Sequence, residues 1–274
     1  MKKVLYILLF FMGAKAMVPA DWSDDCVLEA ASRHDIARLK RLLNETIVIQ
    51  TDSGPQTVKR YTVDDEAHYH ACTPLVAALT PCKDEAKEIK QYEMVQFLLQ
   101  RGACPYQRDK GKNYPLIQAA KIGALRVAAL LLEAWPHAGL EEDEWEIPHV
   151  DVQDSTLRTA LMHAAGSTRI ENFYQEVAEI SDSRMVLLLL LYNADCAKET
   201  KKGTGKTAEK FAANDEIKAI LSDLHAFKKE HPEIIEEIEK IKQKARLDWN
   251  RIQIAQRGGI QRFLRERALH GLRL

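Results

Sequence analysis

The chain has 274 residues, 46% of them hydrophobic and 29% charged, and this balance excludes an intrinsically disordered or collagen-like polymer. A formal net charge of -1 gives no global electrostatic ground for binding nucleic acid or a membrane surface, although the charges are uneven, acidic over 133–146 and basic at the C-terminal end. Five cysteines are too few for a disulfide-stapled scaffold, so the core has to come from side-chain packing.

The chain opens with MKKVLYILLFFMGAKAM, in which Lys2 and Lys3 precede an apolar run over 4–12 and small residues at Ala14 and Ala16. This is the pattern of a secretory signal peptide over residues 1–16, which predicts export, periplasmic or extracellular in a bacterium. The apolar run is about half of the roughly twenty residues that a membrane span needs. Export permits disulfides among Cys26, Cys72, Cys82, Cys104 and Cys196, and the odd count leaves at least one thiol unpaired.

From residue 27 onward one pattern recurs, a small pair followed by leucines and a turn. The clearest copy spans 109–134, DKGKNYPLIQAAKIGALRVAALLLEA, with Pro115, Leu116, Ala119, Ala120, Gly123, Val127, Leu131 and Leu132 in register. It resembles the ankyrin repeat, whose pattern runs D-x-x-G-x-T-P-L-H-x-A-A-x-x-G and then V-x-x-L-L-x-x-G-A-D. A second copy begins at Cys72-Thr73-Pro74-Leu75 and ends at Gly102-Ala103, and another runs from Thr159-Ala160-Leu161 to Asn193-Ala194-Asp195. A degenerate first copy includes Ala30, Ala31, Leu39, Leu42 and Leu43, and the last begins at Gly205-Lys206-Thr207-Ala208 with a shortened second helix over 215–221.

The resemblance implies an all-α fold, a solenoid of about five helix-turn-helix units over 17–224 followed by an amphipathic helical tail over 225–274. Each unit buries its apolar face only by stacking on a neighbour. Threonine is expected to cap each first helix, proline to occupy its first turn, and glycine to supply the left-handed turn after the second helix. Spacing departs from the family's roughly 33 residues, with 41 positions from Pro74 to Pro115 and 48 from Thr159 to Thr207. The excess falls at 46–71, 82–91, 136–149 and 166–183, insertions expected to lengthen helices or form outside loops. The family's turn histidine is replaced by Val76, Ile117, Met162 and Lys210, so its usual link between adjacent turns is expected to be missing.

Residues 201–207, KKGTGKT, match the second half of a phosphate-binding loop. The first glycine of that motif falls on Thr200, and the preceding residues lack a strand pattern. The stretch therefore reads as the turn of the last unit, with Thr207 opening its helix, and no nucleotide is expected. His68, His70 and Cys72 alternate like ligands but lack a second spaced pair, so no metal is expected. Neither a catalytic motif nor a cofactor fingerprint is present, and the contiguous Glu141, Glu142, Asp143 and Glu144 diverge into water.

In the tail, Pro232 suits a helix start and Gly258-Gly259 an end, with Ile234, Ile238, Ile241, Ala245, Trp249 and Ile252 forming one apolar seam. A second short helix is expected from Ile260. The tail either caps the end of the stack or docks a partner helix.

What the resemblance implies for function is non-enzymatic protein–protein interaction through the concave face and turn tips, without a cofactor. Carried onto this chain, the tip residues are Arg108, Lys110, Lys112, Arg158, Lys201 and Lys202, and the inner-helix surface positions are Gln118, Lys121 and His163. This basic row would favour an acidic protein partner. The alternative reading is a membrane- or nucleic-acid-associated protein acting through the basic C-terminal helices, with Arg257, Arg262, Arg265, Arg267 and Arg273. The sequence leaves the oligomeric state open.

Overall fold

The computed structural model describes residues 25–51, 54–59, 72–82, 84–109, 113–134, 149–166, 168–171, 177–180, 183–201 and 205–269. Residues 1–16, read above as a signal peptide, and the histidines 68 and 70 lie outside these. The described chain is predominantly helical.

Five helix pairs follow one another, α1 (Asp25–Ser32) with α2 (Ile36–Asn44), α3 (Pro74–Ala77) with α4 (Glu85–Gln100), and α5 (Pro115–Lys121) with α6 (Leu125–Ala134). The last two are α7 (Ala160–Ala165) with α8 (Ser183–Leu191), and α9 (Ala208–Phe211) with α10 (Asp215–Ser222). The first helices form one row, each touching the next from α1 through α3, α5 and α7 to α9, while α4, α6, α8 and α10 stack behind them as a second row. One continuous hydrophobic core runs through both rows.

Local chemistry explains where each helix begins. Thr73 and Thr159 accept from the amides of Val76 and Met162, each at 3.3 Å, and so cap α3 and α7. Asp84 and Asn214 cap α4 and α10 in the same way, both at 2.8 Å. Thr207 stands at the start of α9 but makes no capping hydrogen bond through its side chain. After α4 the left-handed turn falls on Gly102 (φ 90°), and after α8 on Asn193 (φ 62°), a residue whose short polar side chain tolerates that region.

The described parts of the expected insertions take two forms. Residues 85–91 belong to the 16-residue α4, whereas β1 (Thr46–Thr51) pairs antiparallel with β2 (Gly54–Lys59) and β3 (Thr168–Glu171) with β4 (Val177–Ile180). The mostly helical chain is consistent with the all-α expectation, to which two small two-stranded hairpins are added. β1 carries Ile47, Val48 and Ile49, whose branched side chains favour extended backbone.

The tail differs most from expectation. After a short α11 (Leu224–Glu230), a single helix α12 runs over Pro232–Leu269 without ending at Gly258-Gly259. Gly258 takes no positive φ, and its surroundings leave space within which a side chain would meet nothing within 4 Å. A glycine ends a helix only when it adopts the left-handed turn that satisfies the last carbonyls, and here the helical bonds continue through it. Nor does α12 cap the end of the stack. It lies across the second row, touching α6 most extensively and then α4 and α8, with Ile238, Ala245, Trp249 and Ile252 buried in the common core.

The need for this cover is visible in α6 and α8, buried all round along Val127–Ala134 and Met185–Leu190. A helix with no polar face cannot border water. Polar contacts fix the register of the cover. Tyr92 Oη donates to Asp248 at 2.9 Å, Gln256 Nε2 to the Leu99 carbonyl at 2.6 Å, and the buried Glu133 carboxylate accepts from Tyr192 Oη at 2.7 Å and Arg246 Nε at 3.3 Å.

Two glycine substitutions separate turn from helix. A Cβ at Gly205 would overlap the Lys201 amide and lie 2.6 Å from the Lys201 carbonyl, so Gly205→Ala is expected to lower the urea unfolding free energy by about 2 kcal/mol. Gly258→Ala is expected to raise it by about 0.5–1 kcal/mol, as for alanine in any open helical position. A loss of stability at Gly258→Ala would contradict an uninterrupted α12.

Candidate functional site

Three of the connections that lead into a first-row helix end in turns of the same design. In the third unit the Asp109 amide donates to the Asn113 carbonyl at 3.1 Å, while Asp109 Oδ1 accepts the Asn113 amide at 2.8 Å. In the fourth, the Asp154 amide donates to the Arg158 carbonyl at 3.0 Å, and Asp154 Oδ1 accepts from Thr156 N (2.8 Å), Thr156 Oγ1 (2.6 Å) and Arg158 N (3.2 Å). In the fifth, the Thr200 amide donates to the Lys206 carbonyl at 3.2 Å and Thr200 Oγ1 accepts the Lys206 amide at 3.0 Å. Here the Gly205 amide donates to the Lys201 carbonyl at 2.7 Å. The glycine and lysine amides that a phosphate loop would aim at its ligand are thus spent inside the turn.

The tips are tied to one another. Asp154 Oδ2 holds His163 Nε2 at 2.8 Å and Lys121 Nζ at 3.5 Å, and Lys121 Nζ also reaches Asn113 Oδ1 at 3.4 Å. Gln153 Nε2 donates to the Leu157 carbonyl at 2.8 Å and across to the Glu199 carbonyl at 3.0 Å. The link between adjacent turns is therefore present, built from His163, one position after Met162, and from Lys121. This replaces the expectation that it would be missing.

That result relocates three of the expected inner-helix surface positions. His163 is buried, 6% exposed, and serves Asp154 instead of facing a partner. Lys121 retains 18% side-chain exposure and is committed to Asp154. Gln118 is half-buried and donates to the Leu79 carbonyl at 3.4 Å, joining α5 to the end of α3.

The expected tip residues stand differently. Arg108 and Lys201 are exposed, while Arg158 is half-buried with its guanidinium 4.5 Å from the Phe211 ring centroid. Lys206 Nζ approaches the same ring at 5.9 Å. Lys110, Lys112 and Lys202 lie outside the described residues. Phe211, four residues after Thr207, lies beside the tip, a placement that no sequence motif marks. Leu157 holds φ 60° at 48% exposure, where glycine would be relaxed.

The Asp154–His163 pair has the form of an orienting acid and a base, and the Thr156 hydroxyl donates to the same carboxylate at 2.6 Å. Desolvation lowers the His163 pKa to about 4, helped by Lys121 and opposed by Asp154. Burial would raise the Asp154 carboxyl, but hydrogen bonds from Thr156, His163 and the Arg158 amide outweigh it and hold the group well below the usual carboxylate range.

Among the described residues no group of three His, Cys, Asp or Glu could hold a metal ion, and no helix is long and apolar enough to cross a membrane. Among the described residues Cys82 and Cys196 are free thiols. A cavity of about 350 Å3 between α12 and the second row is lined by Arg126, Arg184, Glu88 and Glu237 among others. Its arginines face carboxylates, Arg126 with Glu88 at 3.8 Å and Arg184 with Glu237 at 3.5 Å. The sequence matches no protein-family description and no curated protein.

The buried histidine gives the fold an acid limit. Because the His163 pKa falls from 6.5 to about 4 on folding, the unfolded chain binds the proton more readily, and stability drops as pH falls from about 6.5 to 4. The Asp154 contribution persists to lower pH, where it is lost through its depressed pKa. Between pH 7 and pH 4 the parent chain is expected to lose about 3 kcal/mol more than His163→Gln, which keeps a donor for Asp154 without titrating. Equal losses in urea titrations at the two pH values would contradict a buried neutral His163.

Proposed function

We propose that the chain is an exported, non-enzymatic interaction scaffold of ankyrin type, which binds an acidic protein partner across its turn tips and the concave face of its first-row helices. One observation carries this reading. Helices α4, α6 and α8 of the second row are covered by α12, while Arg108, Lys201 and Lys206 at the tips and Lys210 in α9 are exposed to solvent. Surfaces covered from within the chain are not available to a partner, so recognition falls to the tips and the first row. At the described ends of the tips Asp109, Asp154 and Thr200 each accept a backbone amide, and pre-organised surfaces lose less entropy on binding. Cations at the tips raise association rates with acidic partners more than they raise affinity. The two-row stacking of five helix pairs supports the ankyrin reading, and the basic start with its short apolar run supports export.

The contribution of the tips is tested by affinity capture from the native cell or its host with the parent chain and with Arg108→Glu, Lys201→Glu and Lys206→Glu combined. These exposed positions leave the core untouched, so the thermal midpoint should change by less than about 2 °C. The expected outcome is a partner retained by the parent and lost by the variant, with capture by the parent weakening as salt rises. An identical captured set with both proteins would refute the tip surface as the binding site.

A further inference from the structure

α12 has two faces, and only one of them is occupied by this chain. Ile238, Ala245, Trp249 and Ile252 point into the core, while Leu247 and Ile254 project outward at 58% and 70% exposure. They are two of four large apolar side chains that are exposed among the described residues, and they lie seven positions apart, two turns along one stripe. The stripe continues through the exposed Glu236, Lys240, Gln243 and Asn250, and this alternation of four and three is the spacing of a helix-pairing seam.

Charge along α12 decides the occupant. Residues 232–239 hold four glutamates and no cation, whereas 251–267 hold five arginines and a single glutamate. Two parallel copies would set like charge against like. An antiparallel pair sets the acidic end of each against the basic end of the other. With the twofold axis between Asn250 and Arg251, Leu247 of one copy meets Ile254 of the other, position 243 meets Gly258, and position 236 meets position 265, an arginine. Gly258 leaves room at that crossing, since nothing lies within 4 Å of where its Cβ would be.

We propose that the outward face of α12 is a self-association surface, forming an antiparallel homodimer through Leu247 and Ile254. One helix pair with two apolar contacts per copy suits a dissociation constant in the micromolar range. The surface is separate from the tips, so dimerisation would display two tip ridges at once and multiply capture by avidity.

Sedimentation equilibrium of the purified full chain between about 1 and 100 µM reads this directly. The mass is expected to rise from 31.1 kDa toward twice that value, and to fall back as salt increases. Combining Leu247→Glu with Ile254→Glu should weaken association at least about tenfold without moving the thermal midpoint, because both side chains are already solvated. Register is read by oxidation in a Cys196→Ser background. Leu247→Cys with Ile254→Cys should give a disulfide-linked dimer, and either single cysteine should not. A monomer throughout the range, a dimer indifferent to the two glutamates, or dimers linked equally well by either single cysteine would each overturn the proposal.

Discussion

The rest of the structure depends on two helix segments that are buried on every side. Over 127–134 of α6 and 185–190 of α8 every residue is buried and all but Glu133 are apolar, so the layer they form cannot border water. Burial of each large side chain there stabilises the fold by about 1.5–3 kcal/mol, but only if something lies on the outer face. α12 supplies that cover, and Trp249 and Ile252 join the core they close. Glu133 lies within the covered layer, and a carboxylate so placed is tolerated only with partners, which Tyr192 and Arg246 provide.

In the proposed scaffold, covering one row leaves the other row and the tips to meet a partner. Connections at the tip edge carry cations and form a hydrogen-bonded ridge, with Asp154 as the acceptor where the third and fourth units meet. His163 and Lys121 belong to this mortar between units. A functional surface in the proposed array is therefore made of the side chains that the ridge does not consume, Arg108, Lys201, Lys206 and Lys210. Phe211, between Arg158 and Lys206, adds an apolar face to an otherwise ionic edge.

Much of the helical organisation was legible in the sequence because its signals are local. Thr73 and Thr159 cap where the repeated pattern places them, Gly102 turns left-handed where a helix has to stop, and the Ile238, Ala245, Trp249, Ile252 seam is read from spacing alone. The features that escaped are set by tertiary contacts or by competing local signals. Whether Gly258-Gly259 ends a helix depends on the backbone bonds available to it, not on composition. The seam could be read, but not the surface it covers, although the unbroken apolar run over 185–191 marked a helix enclosed on all sides. His163 looked like a surface position because pattern matching assigns faces by register, while its actual place is fixed by an acid nine residues earlier. The β-branched run at Ile47, Val48 and Ile49 was a strand signal hidden inside a connection.

The most direct measurement of the central claim is amide hydrogen exchange on the full chain and on a chain ending at Glu230. If α12 is the cover that the second row requires, the shortened chain loses protection in α6 first and in α4 and α8 with it, while the first-row helices α5 and α7 lose less. Unchanged protection across α6 and α8 in the shortened chain would contradict the account, since the second row would then be stable without its cover.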